Sequence, residues 1–64
     1  MKYVYTKRYR EGNYLDPKEK EVMEMTTLQA KRFAESKGMK RTDNIHTYEK
    51  QTRWYTYRLF VINQ

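Results

Sequence analysis

The sequence predicts an α+β fold in which one amphipathic helix packs on a three- to four-stranded antiparallel sheet, in the order β(β)αββ. Three features of the 64-residue chain indicate this fold. A helix with matching start and stop signals lies near the centre, a stretch with period-two alternation precedes it, and aromatic and β-branched residues dominate the stretch that follows. The length and the single helix predict one domain spanning residues 1–64.

Residues 2–10 are predicted to form the first strand. Tyr3 and Tyr5 alternate with Val4 and Thr6, and this period-two arrangement of aromatic and β-branched side chains is typical of a half-buried strand. We therefore expect one side of this strand to be aromatic.

The segment between the first strand and the helix begins with a predicted turn at residues 11–13, where glycine tolerates a positive φ. Pro17 lacks the N–H group that a central strand needs, so no central strand is expected at its position. Residues 20–25 are predicted to form a short second strand. The competing interpretation is a helix over residues 16–24, because a proline suits a first helical turn and lysine and glutamate alternate there.

Residues 27–37 are predicted to form the helix. Thr26 stands at the N-cap and Gln29 follows three positions later, which is the spacing of a capping box. At the other end, Gly38 suits the left-handed residue that ends many helices, and Met39 can fold back on the last turn as in a Schellman motif. The side of the helix expected to face the sheet is an apolar stripe centred on Phe33. Its predicted members are Leu28, Ala30, Phe33, Ala34 and Lys37.

After the helix, residues 40–44 are predicted to be a polar connector, and residues 45–50 and 53–62 two strands joined by a turn. The last strand carries apolar groups on both faces. Tyr55, Tyr57, Leu59 and Val61 share one face, and Trp54, Phe60 and Ile62 share the other. We expect one face to meet the helix and the other to meet solvent, a second copy of the chain or a ligand.

The composition argues against an enzyme. The chain has one histidine, no cysteine and two glycines, so it lacks disulfides, thiolate metal sites, paired-histidine zinc sites and a glycine-rich phosphate loop. His46, in a predicted strand, is more simply interpreted as a surface residue than as a catalytic base. We expect a binding protein with no catalytic residues, metal or cofactor.

The chain shows no sign of membrane insertion or secretion. Its longest apolar run, residues 59–62, is far shorter than the roughly 20 residues that span a bilayer, and the first residues have no apolar core like that of a secretory signal. A cytoplasmic protein is expected.

Charge and aromatic content suggest what the protein binds. The net charge is +6, and seven residues are tyrosines. Basic side chains next to aromatic ones are typical of surfaces that contact phosphates and stack bases. The predicted binding residues are Lys7, Arg8, Arg10, Arg53, Trp54 and Arg58, with a second possible patch at Lys31, Arg32, Lys40 and Arg41. These features predict a small basic protein that recognises nucleic acid. A purely structural interpretation stays open, because the tyrosines can form the core and the helix-end cations can complement the helix dipole.

Two other functions stay open. One is a phage-type inhibitory or sequestering protein that binds an acidic host protein or a phosphorylated signalling nucleotide, with cations on the phosphates and a ring on the base. Because one small sheet offers few walls for a pocket, this function predicts a homo-oligomer with the ligand at the subunit boundary. The other is an assembly protein whose second sheet face is buried in a dimer.

Overall fold

A computed structural model describes residues 1–10 and 19–62 of the chain and shows a small α+β fold. In these residues there are one helix and five strands. Their bounds in chain order are β1 Lys2–Tyr9, β2 Glu19–Glu24, α1 Thr27–Ser36, β3 Lys40–Arg41, β4 Tyr48–Gln51 and β5 Tyr55–Val61. The turn predicted at residues 11–13 and Pro17 lie outside the described residues.

The five strands form one sheet in the order β2-β1-β5-β4-β3, and all neighbours run antiparallel. The prediction of three or four strands is therefore an undercount. The missed strand is β3, inside the stretch predicted as a connector. Its two residues, Lys40 and Arg41, face Glu49 and Tyr48 of β4. A strand this short is defined by its partner and has no periodicity of its own to detect.

The prediction of a strand in the segment before the helix is confirmed by β2, and the helical alternative is wrong for those residues. The strand predicted at residues 45–50 begins only at Tyr48. Before it the chain turns, because Asn44 accepts from the His46 N–H at 2.9 Å and Thr42 donates its N–H to the Thr47 carbonyl at 2.9 Å. These local bonds use backbone groups that a longer strand would need.

Both predicted ends of α1 are confirmed. The Thr26 hydroxyl accepts from the Gln29 N–H at 3.1 Å, and the Gln29 side chain accepts from the Thr26 N–H at 2.9 Å, which completes the capping box. At the other end Gly38 has a φ of 74°. The Gly38 N–H donates to the Glu35 carbonyl and the Met39 N–H to the Ala34 carbonyl, the two bonds of a Schellman motif.

The helix meets the sheet through alanines. Ala30 and Ala34 are fully buried, whereas Phe33 is only partly buried and Leu28 is 56 % exposed. The predicted stripe is therefore wrong about Leu28 and about its centre. Residues two positions apart in a helix differ in direction by about 200° around its axis, so Leu28 and Ala30 point to opposite sides of the helix. The two alanines share one core cluster with Tyr3 and Leu59 of the sheet, which are also fully buried.

Side chains on the helix side of the sheet form four rows across the strands, defined by the strand register. The first contains Met23, Tyr3 and Val61; the second Glu21, Tyr5, Leu59, Tyr48 and Arg41; the third Glu19, Lys7, Tyr57 and Lys50; the fourth Tyr9 and Tyr55. Burial falls along this series, from the fully buried Tyr3 and Leu59 to Tyr9, which is 42 % exposed. The helix thus covers the central part of the first two rows, whose outer members Glu21 and Arg41 are exposed, and leaves the last two rows only partly buried.

A helix that crosses a bilayer needs about 20 consecutive, mostly apolar residues. None of the described residues belongs to a helix with the length and apolar character needed to cross a bilayer.

Replacing Gly38 by alanine is expected to lower the free energy of unfolding by about 1–2 kcal/mol, because an L-residue in the left-handed region costs about that much. A Cβ at this position would lie 3.8 Å from Cδ of Lys50, an ordinary contact, so the cost is one of backbone conformation. Urea denaturation followed by circular dichroism measures the change. Gly38→Asn is the matched control and should lose less, because asparagine tolerates this conformation; equal losses would contradict the explanation.

Candidate functional site

Beyond the end of α1 the helix-side face carries tyrosine and lysine side chains, with Glu19 at its edge on β2. We call the tyrosines and lysines of this part the tyrosine–lysine platform; they are Lys7, Tyr9, Lys50, Tyr55 and Tyr57. Phe33 marks its border, because this helical ring contacts Tyr5 edge to face with the centroids 5.4 Å apart. The platform combines residues of three neighbouring strands, β1, β5 and β4.

Lysine ammonium groups lie over the tyrosine rings of the platform. Nζ of Lys7 is 4.3 Å from the centroid of Tyr55 and 5.7 Å from that of Tyr57, and Nζ of Lys50 is 4.7 Å from the Tyr57 centroid. The rings of Tyr9 and Tyr55 are 5.3 Å apart. Each cation is attracted to the negative face of a ring while its aliphatic stem covers apolar surface. The result is a surface that is aromatic and positively charged together.

The end of α1 helps to position this surface. The ammonium of Lys50 donates a 2.7 Å hydrogen bond to the backbone carbonyl of Lys37, the C-cap residue. A cation is favourable there because the last carbonyls of a helix carry partial negative charge. The side chain of Lys37 adds a third ammonium group nearby, 5.6 Å from the Phe33 ring and 5.9 Å from the Tyr5 ring.

A shallow groove continues the platform at the turn between β4 and β5. It has a volume of about 110 Å³, and we call it the turn groove; its lining residues are Tyr9, Arg10, Arg53 and Trp54. The Arg10 N–H donates to the Trp54 carbonyl at 3.0 Å, and the Arg10 guanidinium donates to the Thr52 carbonyl at 3.2 Å. Trp54 is 64 % exposed, with the Arg53 guanidinium 5.0 Å from its ring.

Four of the sequence-predicted binding residues thus meet at one end of the molecule: Lys7, Arg10, Arg53 and Trp54. Trp54 lies in the turn before β5 and not, as expected, on the face of that strand opposite Tyr55. Arg8 and Arg58 lie on the other side of the sheet, because neighbouring residues of a strand point to opposite faces.

The second predicted patch is divided among separate surfaces. Lys31 and Arg41 border a groove of about 770 Å³ between α1 and the segment before β4, together with the exposed Leu28 and Ile45. Arg32 and Lys40 do not line this groove, and Lys40 points to the opposite face of β3 from Arg41.

Lys50, Tyr55 and Tyr57 of the platform are not among the binding residues predicted from the sequence. Period-two alternation, applied to the last predicted strand, already places both tyrosines on one face. The position of Lys50 beside Tyr57 depends on the register between β4 and β5, which the sequence does not show.

Neither surface resembles a metal site. In residues 1–10 and 19–62 no three histidine, aspartate or glutamate side chains come together as metal ligands would.

No family model matches the chain, and no curated protein or solved structure is significantly similar to it.

One titratable group at the border of the platform is perturbed. Burial raises the pKa of the Tyr5 hydroxyl above its usual value, and the charges of Tyr57, Glu19 and Glu21 act in the same direction. The neutral hydroxyl is therefore the form that the fold stabilises.

The raised pKa of Tyr5 predicts a loss of stability in alkali. Because the folded pKa lies above the unfolded value of about 10, the free energy of unfolding keeps its full Tyr5 contribution below that pH. It then falls as pH rises through the folded pKa. Tyr5→Phe keeps the ring and removes the hydroxyl, so its free energy of unfolding should fall less steeply.

Urea denaturation at a series of alkaline pH values measures this difference. A Tyr5→Phe curve parallel to the native one would show that the shift has no effect on stability.

Proposed function

We propose that this protein binds single-stranded nucleic acid on the tyrosine–lysine platform and the adjoining turn groove. The observation that carries the proposal is the meeting of four cations with aromatic rings at one end of the sheet, where Tyr9 and Trp54 are exposed. The four cations are Lys7, Lys50, Arg10 and Arg53. Cationic groups would bind backbone phosphates, and the exposed ring of Trp54 would stack on a base.

Among the described residues, the cations of this end outnumber the carboxylates paired with them, and this excess of positive charge supports binding to a polyanion. The Lys7 ammonium pairs with the Glu19 carboxylate at 3.9 Å, a distance too long for a hydrogen bond. The ammonium of Lys50 binds a neutral carbonyl, which leaves its full charge in place. Cations in excess over carboxylates attract phosphates over a distance and bind them by releasing counterions.

The position of the site on the face of a sheet favours a single strand as the ligand. Bases in a duplex are stacked on one another, so a ring on a sheet surface reaches only bases that are unpaired. A free nucleotide fits the turn groove less well, because pockets for such ligands measure about 300–1,000 Å³ and the turn groove measures about 110 Å³. An extended strand needs no enclosed pocket, and the proposal assigns no catalytic step.

Trp54→Ala is expected to weaken binding of a single-stranded oligonucleotide by about 5- to 150-fold, the range that corresponds to the loss of one stacked base. Trp54 is exposed in a turn, so the change should leave the fold intact, and circular dichroism checks this. Fluorescence anisotropy with labelled DNA and RNA oligonucleotides measures the affinity. Trp54→Phe is the matched control and should retain most of it. No association of the native protein with either oligonucleotide at low salt would refute the proposal.

Arg53→Gln is expected to reduce the salt dependence of binding, because it removes one phosphate contact. The slope of log affinity against log salt should decrease in magnitude by about 0.7 for a single strand. Arg32→Gln removes the same charge from the exposed side of α1 and should leave the slope unchanged. Equal effects of the two substitutions would point to a diffuse charge effect and against the turn groove.

A further inference from the structure

The outer edge of β2 is a strand edge that no other strand pairs within residues 1–10 and 19–62, because β2 is the first strand of the sheet. Met1 and Met25 continue the register of β1 and β2 by one residue. The Met25 N–H donates to the Met1 carbonyl, so the backbone groups of Met25 point toward β1. Backbone direction alternates along a strand, so Glu21 and Met23 also direct their N–H and C=O groups toward β1. Lys20, Val22 and Glu24 direct theirs outward.

The side chains of these outward-facing residues have a symmetric arrangement. Val22 stands between Lys20 and Glu24, and all three point to the sheet face opposite the helix. Val22 is 53 % exposed although it is β-branched and apolar. A positive charge on one side of an exposed valine and a negative charge on the other is complementary to the same sequence running in the opposite direction.

We propose that two copies of the chain pair antiparallel along the outer edges of their β2 strands, with Val22 facing Val22 of the partner subunit. In this register Lys20 faces the partner's Glu24, and Glu24 faces the partner's Lys20. Each of the three facing pairs exchanges two backbone hydrogen bonds, so all the outward groups of Lys20, Val22 and Glu24 are satisfied. The product is one continuous ten-stranded sheet around a two-fold axis.

Other registers along this edge are less favourable. A shift of one residue brings outward groups opposite groups that already bond β1, and it also places the side chains on the wrong faces. A shift of two residues leaves one outward residue of each β2 without a facing β2 residue and removes both facing Lys20–Glu24 pairs. The Val22-centred register is therefore the one that charge and hydrogen bonding select together.

The pairing also extends an apolar row that each copy already contains. On the face opposite the helix, Val4 lies between Val22 and Phe60 in the strand register. Two such rows meet at the dimer axis, where each Val22 covers the other. Facing side chains of this kind are the unit that stabilises a sheet.

Charge reversal tests the register. Lys20→Glu and Glu24→Lys each place like charges opposite one another twice per dimer, so each variant alone should dimerise at least about tenfold more weakly than the native protein. Mixed in equal amounts, the two variants should form a heterodimer, because both facing pairs then carry opposite charges again. Sedimentation velocity and native mass spectrometry over a range of concentrations measure these states.

Two controls separate this pairing from other effects. Arg32→Glu makes a charge reversal on the exposed side of α1 and should dimerise as the native protein does. Glu24→Lys also removes the 2.9 Å ion pair with the N-terminal amine, so thermal unfolding of each variant is compared with that of the native protein. Lys20→Glu leaves that ion pair intact.

Amide hydrogen exchange on the native protein needs no variant. The N–H groups of Lys20, Val22 and Glu24 should exchange more slowly as the protein concentration rises. Dimerisation through the sheet face opposite the helix would leave their exchange rates unchanged. A native protein that stays monomeric at high concentration would overturn the proposal. So would a dimer that resists both charge reversals, or two variants that fail to restore dimerisation when mixed.

Discussion

A ten-residue helix is about 15 Å long, whereas an eight-residue strand extends over about 26 Å. α1 therefore cannot cover the whole helix-side face of the sheet, and the part beyond its end has to be completed by side chains alone. Purely apolar side chains there would leave an exposed hydrophobic patch. Tyrosine rings with lysine stems laid over them remove apolar surface from water and keep the ammonium groups hydrated. The mismatch in length thus accounts for both the aromatic and the cationic character of the platform.

The end of the helix connects the core with the proposed binding surface. Gly38 reverses the chain, Met39 returns to the core beside Ala34, and Lys50 binds the carbonyl of the C-cap residue. The bond that satisfies the helix end also holds one platform ammonium in place over Tyr57. Stability and site geometry therefore depend on the same few contacts, and a change at the helix end should affect both.

The sequence predicts those features whose causes are local. A capping box and a glycine stop involve residues within a few positions of each other, so Thr26 and Gly38 identified the helix ends correctly. The two-residue strand β3 was missed because only its pairing with β4 defines it.

The same distinction holds for the site. Alternation alone separates Lys7 from Arg8, and applying it strictly would have removed Arg8 from the predicted cluster. The approach of Lys50 to Lys7 across Tyr57 depends on β5 lying between β1 and β4, which is a property of the whole sheet.

The strand β2 and the platform carry opposite net charge, and this difference favours different partners, although Glu19 of β2 also lies 3.9 Å from the Lys7 ammonium. β2 carries three glutamates and one lysine, so its edge repels a polyanion, while the platform and the turn groove at the end of the sheet attract one. Antiparallel pairing of β2 with its own copy turns the subunits about an axis perpendicular to the sheet. Both platforms then lie on the same side of the ten-stranded sheet, at opposite ends of their strands. Because neither platform contributes to the pairing, the dimer and the monomer present the same binding surface, and the loss of one interaction leaves the other intact.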